Sequence, residues 1–167
     1  GRLGLSFFDL DQKKITNDLP LIESQLPLES MATGIAVVGR YAFVVMDNFQ
    51  IVPNIFRGIV VIDLETESVL DTYNILDPGA DSVVSDGQEL IVSFDGNPIW
   101  NYRLNGTNMP VLQHRIWKFP FRLSPMGHAS LDAKYYYTCF AKAPTVKGAL
   151  YDNVPVALDR RIFDQAN

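Results

Sequence analysis

The sequence predicts an all-β fold, and three observations lead to this prediction. Apolar residues fall in short runs rich in β-branched and aromatic side chains, as in the stretches 35–38, 41–46 and 59–62. Turn-forming residues such as Gly39 and Gly58 bound these runs. A unit built from two such runs and a polar turn recurs at start-to-start spacings of 46 and 47 residues. Short apolar runs that are bounded by turn-forming residues are typical of strands rather than helices.

Nine stretches have the strand pattern, and they are 35–38, 41–46, 59–62, 69–75, 82–84, 89–94, 99–102, 111–117 and 135–140. The C-terminal stretch is the one part expected to be helical. Asp152 and Asn153 offer a cap, Pro155 suits a first helical turn, and residues 156–165 supply about two turns.

The recurring unit opens with a small residue, continues as a short apolar strand, turns through polar residues and returns as a second strand. Its three copies begin at Gly34, Ala80 and Gly127. A second feature, a strand that ends in a polar-Leu-polar turn, recurs at 9–11, 63–65 and 103–105. Four strands in every ~45 residues is the spacing of the blades of a β-propeller. A β-sandwich with coincidental spacing is the alternative fold.

We therefore predict one partial β-propeller domain over residues 1–167, with about three blade-equivalents of four antiparallel strands. The predicted units are a partial blade at 1–30, full blades at 31–75 and 76–120, a partial blade at 121–151 and a helical tail at 152–167. Propellers have typically 4–8 blades, so three blade-equivalents cannot close a ring. Because the chain also begins with Gly1, we expect either a fragment of a longer polypeptide or copies that complete a ring together.

Composition limits the class of protein. Of the 167 residues, 47% are hydrophobic and 20% are charged, which is close to the globular average and argues against disorder. The net charge of −5 argues against a binder of duplex nucleic acid, which normally presents a basic face. No apolar run approaches the roughly 18 residues of a membrane span. The single cysteine, Cys139, excludes a disulfide within the chain.

Several short motifs follow one another in an order that a known family shows. A strand ending in an acidic turn at 44–47 precedes an apolar strand that runs into Asp-Leu-x-Thr at 59–66. A Ser-Pro turn at 123–125, a tyrosine-rich strand at 135–138 and a run with Val-Pro at 150–158 come next. In this order the chain resembles the yellow/major royal jelly family, which is related to the gluconolactonase-like six-bladed propellers. Gly127-His128 departs from the family, which usually has an apolar pair there.

The resemblance implies a secreted protein that binds small molecules at one end of its central channel. Members include biogenic-amine carriers, pigment-pathway proteins and storage proteins, and enzymatic activity is not general among them. The glycosylation sequon Asn105-Gly106-Thr107, in a predicted exposed turn, agrees with an extracellular location. The first functional hypothesis is therefore a non-catalytic propeller that binds a small molecule or serves as an interaction module.

Ile35, Asp81 and His128 each follow the small residue that opens a unit. In a propeller the start of each innermost strand lines the central channel, so we expect these three residues to bind the ligand. A carboxylate and an imidazole in one channel would suit a divalent metal, or act as base and acid. The alternative is that Asp81 forms a turn after Pro78-Gly79 and His128 bonds a neighbouring backbone group, since two ligands fall short of a metal site. We predict no catalytic residues and no cofactor, with a divalent metal as the alternative.

Two other functions stay open. A metal-dependent enzyme of the lactonase or isomerase kind, with its site at the channel mouth, would need ligands from further blades. A structural subunit of a larger assembly would use the apolar insert at 48–57 as its contact. The expected partners are a small-molecule ligand or other chains that complete the propeller, and not nucleic acid.

Two groups of side chains have expected structural roles. Asp47, Asp63 and Asp95 each follow an apolar strand, where aspartate usually accepts hydrogen bonds from the backbone of a turn. Tyr135 and Tyr137 lie two residues apart in a strand and so share one face of the sheet, while Tyr136 lies on the other.

Overall fold

The computed structural model describes residues 4–21, 31–47, 56–74, 80–94, 99–104, 110–117, 123–125, 129–142 and 152–162. Within these ranges the chain is all β, as predicted, and its strands form antiparallel sheets. A hairpin comes first, made of β1 (Gly4–Asp9) and β2 (Lys14–Pro20). Sheet 1 contains β3 (Met31–Val38), β4 (Tyr41–Asp47), β5 (Gly58–Asp63) and β6 (Ser68–Asn74).

Sheet 2 contains β7 (Ala80–Ser85), β8 (Glu89–Phe94), β9 (Ile99–Leu104) and β10 (Pro110–Trp117). Sheet 3 contains β11 (Leu123–Pro125), β12 (Ser130–Leu131), β13 (Tyr135–Lys142) and β14 (Asp152–Asp159). In sheets 1 and 2 each strand pairs with the next along the chain. In sheet 3, β11 and β12 pair with one edge of β13, and β14 pairs with the other. The nine predicted strands are confirmed, apart from Ile75, which lies outside the described residues.

The C-terminal stretch was wrongly predicted to be helical. Residues Asp152–Asp159 form strand β14, and a single 3-10 turn follows at Arg160–Ile162. Strand β14 pairs with β13 along its whole length, from Asp152 opposite Lys142 to Asp159 opposite Tyr135. The pairing partner outweighs the local cap signal, and Pro155 is tolerated because edge strands accept proline. Residues 163–167, the rest of the predicted tail, lie outside the described part of the chain.

Sheet 1 is buried on both of its faces. Its front face packs against sheet 2 through a cluster that includes Phe43, Val45, Val61, Leu90 and Val92. Its back face packs against the hairpin through a cluster that includes Val44, Val60, Ile62, Leu5 and Phe7. Since both faces are covered, β4 and β5 are apolar almost throughout rather than alternating between apolar and polar residues.

One backbone hydrogen bond recurs in all three sheets. The N–H of Leu64 donates to the carbonyl of Arg40 at 2.8 Å, and the N–H of Leu104 donates to the carbonyl of Gln88 at the same distance. In sheet 3 the N–H of Arg160 donates to the carbonyl of Lys134 at 2.9 Å. Each bond ties the end of one strand to the turn that precedes the neighbouring strand. Leu64, Leu104 and Arg160 therefore occupy equivalent positions in the three sheets.

The N-terminal hairpin has the same local structure as the β5–β6 hairpin. Asp9 Oδ1 accepts from the N–H groups of Asp11 and Gln12, as Asp63 Oδ1 accepts from those of Glu65 and Thr66. The pairing register shifts between Phe7 and Phe8 and between Val61 and Ile62. The last turn residue is left-handed in both, with φ of 53° at Lys13 and 49° at Glu67. The hairpin is thus equivalent to the last two strands of sheet 1, and the expected turn role of Asp63 is confirmed.

Candidate functional site

A cavity of about 650 Å³ lies between strands β3, β7 and β12. Ligand cavities in proteins commonly enclose roughly 300–1,000 Å³, so this space is large enough for a small molecule. Strands β3, β7 and β12 supply most of the wall, and β1 contributes at one side. The lining residues are Gly4, Leu5, Leu21, Ala32, Thr33, Gly34, Ile35, Ala36, Val37, Val44, Ser82, Val83, Val84, Ser85, Ala129, Ser130 and Leu131.

Gly34 allows β3 and β7 to meet at the cavity wall. A Cβ atom at this position would lie 3.0 Å from the backbone nitrogen of Val83 and 3.3 Å from Cα of Ser82. Both strands also carry an irregularity at this point, since the register shifts between Ala32 and Gly34 and between Ala80 and Ser82. Such bulges turn a strand locally and re-aim its side chains. The approach of the two strands therefore depends on the missing side chain of a glycine.

The described wall of the cavity is apolar with a few hydroxyl groups. Ile35 and Val37 are both at least half exposed although they are β-branched, because they border the cavity rather than the core. The Ser85 hydroxyl donates to the carbonyl of Glu89 at 2.6 Å. The buried Ser82 Oγ has no hydrogen-bond partner among the described residues. None of the described lining residues is ionisable, so the described part of the wall is apolar with isolated hydroxyl groups.

The three predicted ligand-binding residues are described by the structure to different extents. Ile35 lines the cavity with half of its surface exposed. Asp81 lies in β7, at the register shift between Ala80 and Ser82, but its side chain lies outside the described part. His128 lies outside the described residues. Ile35 is therefore the one member of the predicted site with a described place in the cavity wall.

The pairing register also differs by two residues from the alignment of the sequence repeats. Gly34 lies opposite Val45 in sheet 1, and Ser82 lies opposite Ser93 in sheet 2, each just after the bulge. By this register Asp81 corresponds to Thr33, and not to Ile35. The sequence alignment matched the small residues that open each unit, and it missed this difference. Strand register depends on pairing across the whole hairpin.

Asp47 and Arg57 form a buried pair at one end of sheet 1. Asp47 is fully buried and lies opposite Met31, at the start of the cavity-lining strand β3. Arg57 Nε lies 4.0 Å from Asp47 Oδ1, and the arginine side chain is largely buried. Residues 48–55, which hold most of the predicted apolar insert, lie outside the described part, as does Asp95. The described geometry gives Asp47 a charged partner, and the residues that would form the expected turn after it lie outside the described part.

Arg160 is a residue of this architecture that the sequence analysis missed. Its guanidinium lies 2.6 Å from Asp86 Oδ2 and 2.9 Å from Glu89 Oε2, and it donates to the carbonyl of Asp132 at 2.9 Å. It thus connects the first turn of sheet 3 with the first turn of sheet 2. Burial raises the pKa of the Asp86 carboxyl, but hydrogen bonds from Gln88, Glu89 and Arg160 lower it further than burial raises it. The signal in the sequence was Asp159, which ends strand β14 and accepts from the N–H of Arg161, as Asp63 ends β5 and accepts from that of Glu65.

Among the described residues, no group of three or more histidine, cysteine, aspartate or glutamate side chains could hold a metal ion. The side chains of the described cavity wall include hydroxyl groups but no carboxylate and no imidazole. In the same ranges no helix is long and apolar enough to cross a membrane.

No protein-family model matches this sequence, and no curated protein matches it.

Proposed function

We propose that the chain is part of a secreted β-propeller that binds a small, largely apolar molecule in its central channel without catalysing a reaction. The cavity between β3, β7 and β12 carries this proposal. Its size suits a small ligand, and its described wall combines apolar side chains with isolated hydroxyl groups. Pockets of this composition bind by shape and apolar contact, with a few polar groups that set the orientation of the ligand.

The propeller part of the proposal is supported by how the sheets stack. A sandwich has two sheets that each expose one face, whereas sheet 1 is covered on the front by sheet 2 and on the back by the hairpin. Strand β3 of sheet 1, β7 of sheet 2 and β12 of sheet 3 border the cavity, whereas β5, β6, β9 and β10 supply no described lining residue. The hairpin corresponds to the outer half of a further blade. These features favour blades arranged around an axis, completed by strands beyond those described.

Ile35 provides the test of the ligand site. A carboxylate introduced by Ile35→Glu would place a charge in the apolar wall and should weaken binding of indole, an uncharged aromatic probe, by about tenfold or more. Leu70→Glu is the matched control, because Leu70 lies in the same sheet, is also 50% exposed, and does not line the cavity. Isothermal titration calorimetry measures both. A wild-type chain that binds no indole, or an Ile35→Glu variant that binds it normally, would contradict the proposal.

Asp81 and His128 belong to the same proposed site. Asp81→Ala and His128→Ala should weaken ligand binding while changing the melting temperature little, because polar groups at a channel rim contribute little to the core. Elemental analysis of the purified protein separates this proposal from a lactonase-like enzyme. We expect no divalent metal at a stoichiometric level, and one metal ion per chain would favour the enzyme.

A further inference from the structure

In each of the three sheets, the residue that donates the recurring backbone hydrogen bond also contacts the preceding sheet or hairpin. Leu64 packs into the cluster between sheet 1 and the hairpin, and Leu104 packs into the cluster between sheets 1 and 2. Arg160, at the equivalent position of sheet 3, pairs with the turn of sheet 2. The side chain at this position therefore contacts the sheet or hairpin that packs on the back face of its own sheet.

The hairpin has the same position but nothing described behind it. Leu10 follows Asp9 as Leu64 follows Asp63, and it is 81% exposed. Phe8 corresponds to Ile62, which is fully buried on the back face of sheet 1, yet Phe8 is 55% exposed. Phe8 and Leu10 define the back face of the hairpin. Their equivalents in sheet 1 are packed against a neighbouring layer, but no described residue covers this face of the hairpin.

Sheet 3, near the other end of the chain, has an exposed front face instead of an exposed back face. Tyr137 lies opposite Ala157 in sheet 3, as Phe43 lies opposite Val61 in sheet 1. Phe43 and Val61 are fully buried under sheet 2, whereas Tyr137 is 38% exposed and Ala157 is also exposed. Tyr135 lies on the same side, with its ring centroid 6.0 Å from that of Tyr137. The front face of sheet 3, defined by Tyr135, Tyr137 and Ala157, is therefore open.

We infer that a second copy of this chain docks head to tail, with the back face of its hairpin on the front face of sheet 3. The two packed interfaces around sheet 1 each join a front face to a back face. Among the described residues, the open back face and the open front face lie on the first and last layers of one chain. Each copy therefore carries the complement of the face that the other leaves open. The inference rests on the propeller part of the proposed function and does not depend on ligand binding.

The contact is heterologous, so it can be broken from either side. Leu10→Glu changes the hairpin face at an exposed turn position that should not affect folding, and Tyr137→Glu changes the sheet 3 face. The wild-type 167-residue chain should elute from size exclusion with a light-scattering mass of at least twice 18.7 kDa. Each variant alone should shift toward the mass of one chain. Leu70→Glu, on an outer strand of sheet 1, is the control that should keep the wild-type mass.

Mixing the two variants gives the decisive result. Leu10→Glu keeps an intact sheet 3 face and Tyr137→Glu keeps an intact hairpin face, so an equimolar mixture should recover a species of two chains. A monomeric wild-type chain, variants that still associate, or a mixture that stays monomeric would overturn the inference. The first of these would favour further sheets of a longer polypeptide as the cover. Indole binding by the same samples is a separate readout, because its loss with association retained contradicts the ligand site alone.

Discussion

Ser93 of β8 and Tyr136 of β13 share a hydrogen bond between their hydroxyl groups, and both side chains are fully buried. The bond joins sheet 2 to sheet 3 across 43 residues of sequence. Tyr136 lies on the face of β13 opposite to Tyr135 and Tyr137, as the alternation of side chains along the strand predicts. A buried hydroxyl that lacks a partner costs about 1–3 kcal/mol, so this pair favours one arrangement of the two sheets.

The Ser93–Tyr136 bond should be measurable by a double-mutant cycle. We expect Ser93→Ala and Tyr136→Phe each to lower the free energy of unfolding by about 1 kcal/mol or more, with a coupling energy of about 1 kcal/mol. Urea unfolding followed by fluorescence measures all four proteins. Tyr137→Phe is the matched control, because its hydroxyl donates to the exposed Asp132 at 2.8 Å and its loss should change stability little. Strictly additive single effects would contradict the assigned contact.

Arg160 should contribute more to stability than its neighbour Arg161. Arg160→Met keeps the aliphatic stem but leaves Asp86 and Glu89 without their guanidinium, and we expect a loss of about 2 kcal/mol. Arg161 is mostly exposed and pairs with Asp159 two residues away, so Arg161→Met should change stability much less than Arg160→Met does. Chemical denaturation of the two variants provides the comparison. Equal losses would argue against a connection between the sheets through Arg160.

Acid should destabilise the fold through its turn aspartates. Hydrogen bonds from the Arg161 side chain and backbone hold the pKa of Asp159 at about 2, and the pKa of Asp86 is also lowered. A carboxyl with a lower pKa in the folded state stabilises that state above its unfolded pKa, near 4, and this contribution is lost as pH falls through the folded pKa. The melting temperature should therefore fall between about pH 4 and pH 2.

The Asp159→Asn variant tests the source of that acid sensitivity. Since asparagine does not titrate, the melting temperature of this variant should depend less on pH over the same interval than that of the wild-type chain. Asp71→Asn is the control, because Asp71 is exposed and bonds its neighbouring Thr72 backbone without a charged partner in the described contacts. If both variants kept the wild-type pH profile, the Asp159 contacts would not be the cause.

Gly58 should tolerate no side chain. A Cβ atom at this position would collide with the backbone carbonyl oxygen of Tyr73 on the neighbouring strand β6. We expect Gly58→Ala to lower the unfolding free energy by about 3 kcal/mol or more, because backbone atoms cannot move aside as a side chain can. Gly39→Ala is the control: nothing lies near its Cβ, and its left-handed φ of 58° costs about 1 kcal/mol. Thermal unfolding of both variants measures the difference, and equal losses would contradict the predicted collision.

The sequence by itself determined the strands of sheets 1 and 2. Strands β4 and β5 are short, apolar, rich in β-branched residues and bounded by glycine and aspartate, a combination that favours a strand over a helix. The repeat was also visible, because the turns after Asp9 and Asp63 need an aspartate that accepts hydrogen bonds from the backbone two and three residues on. Such signals depend on neighbours in the chain, so local sequence is sufficient to reveal them.

Tertiary structure decided those features of the fold that depend on residues far apart in the sequence. Residues Asp152–Asp159 have a cap and a proline that favour a helix, yet pairing with β13 makes them a strand. The position of Asp81 relative to Ile35 depends on a bulge and on strand pairing, so a residue-by-residue alignment placed it two positions away from its structural equivalent. The cavity likewise arises where Gly34 lets two sheets approach, and no single stretch of sequence contains both of its walls.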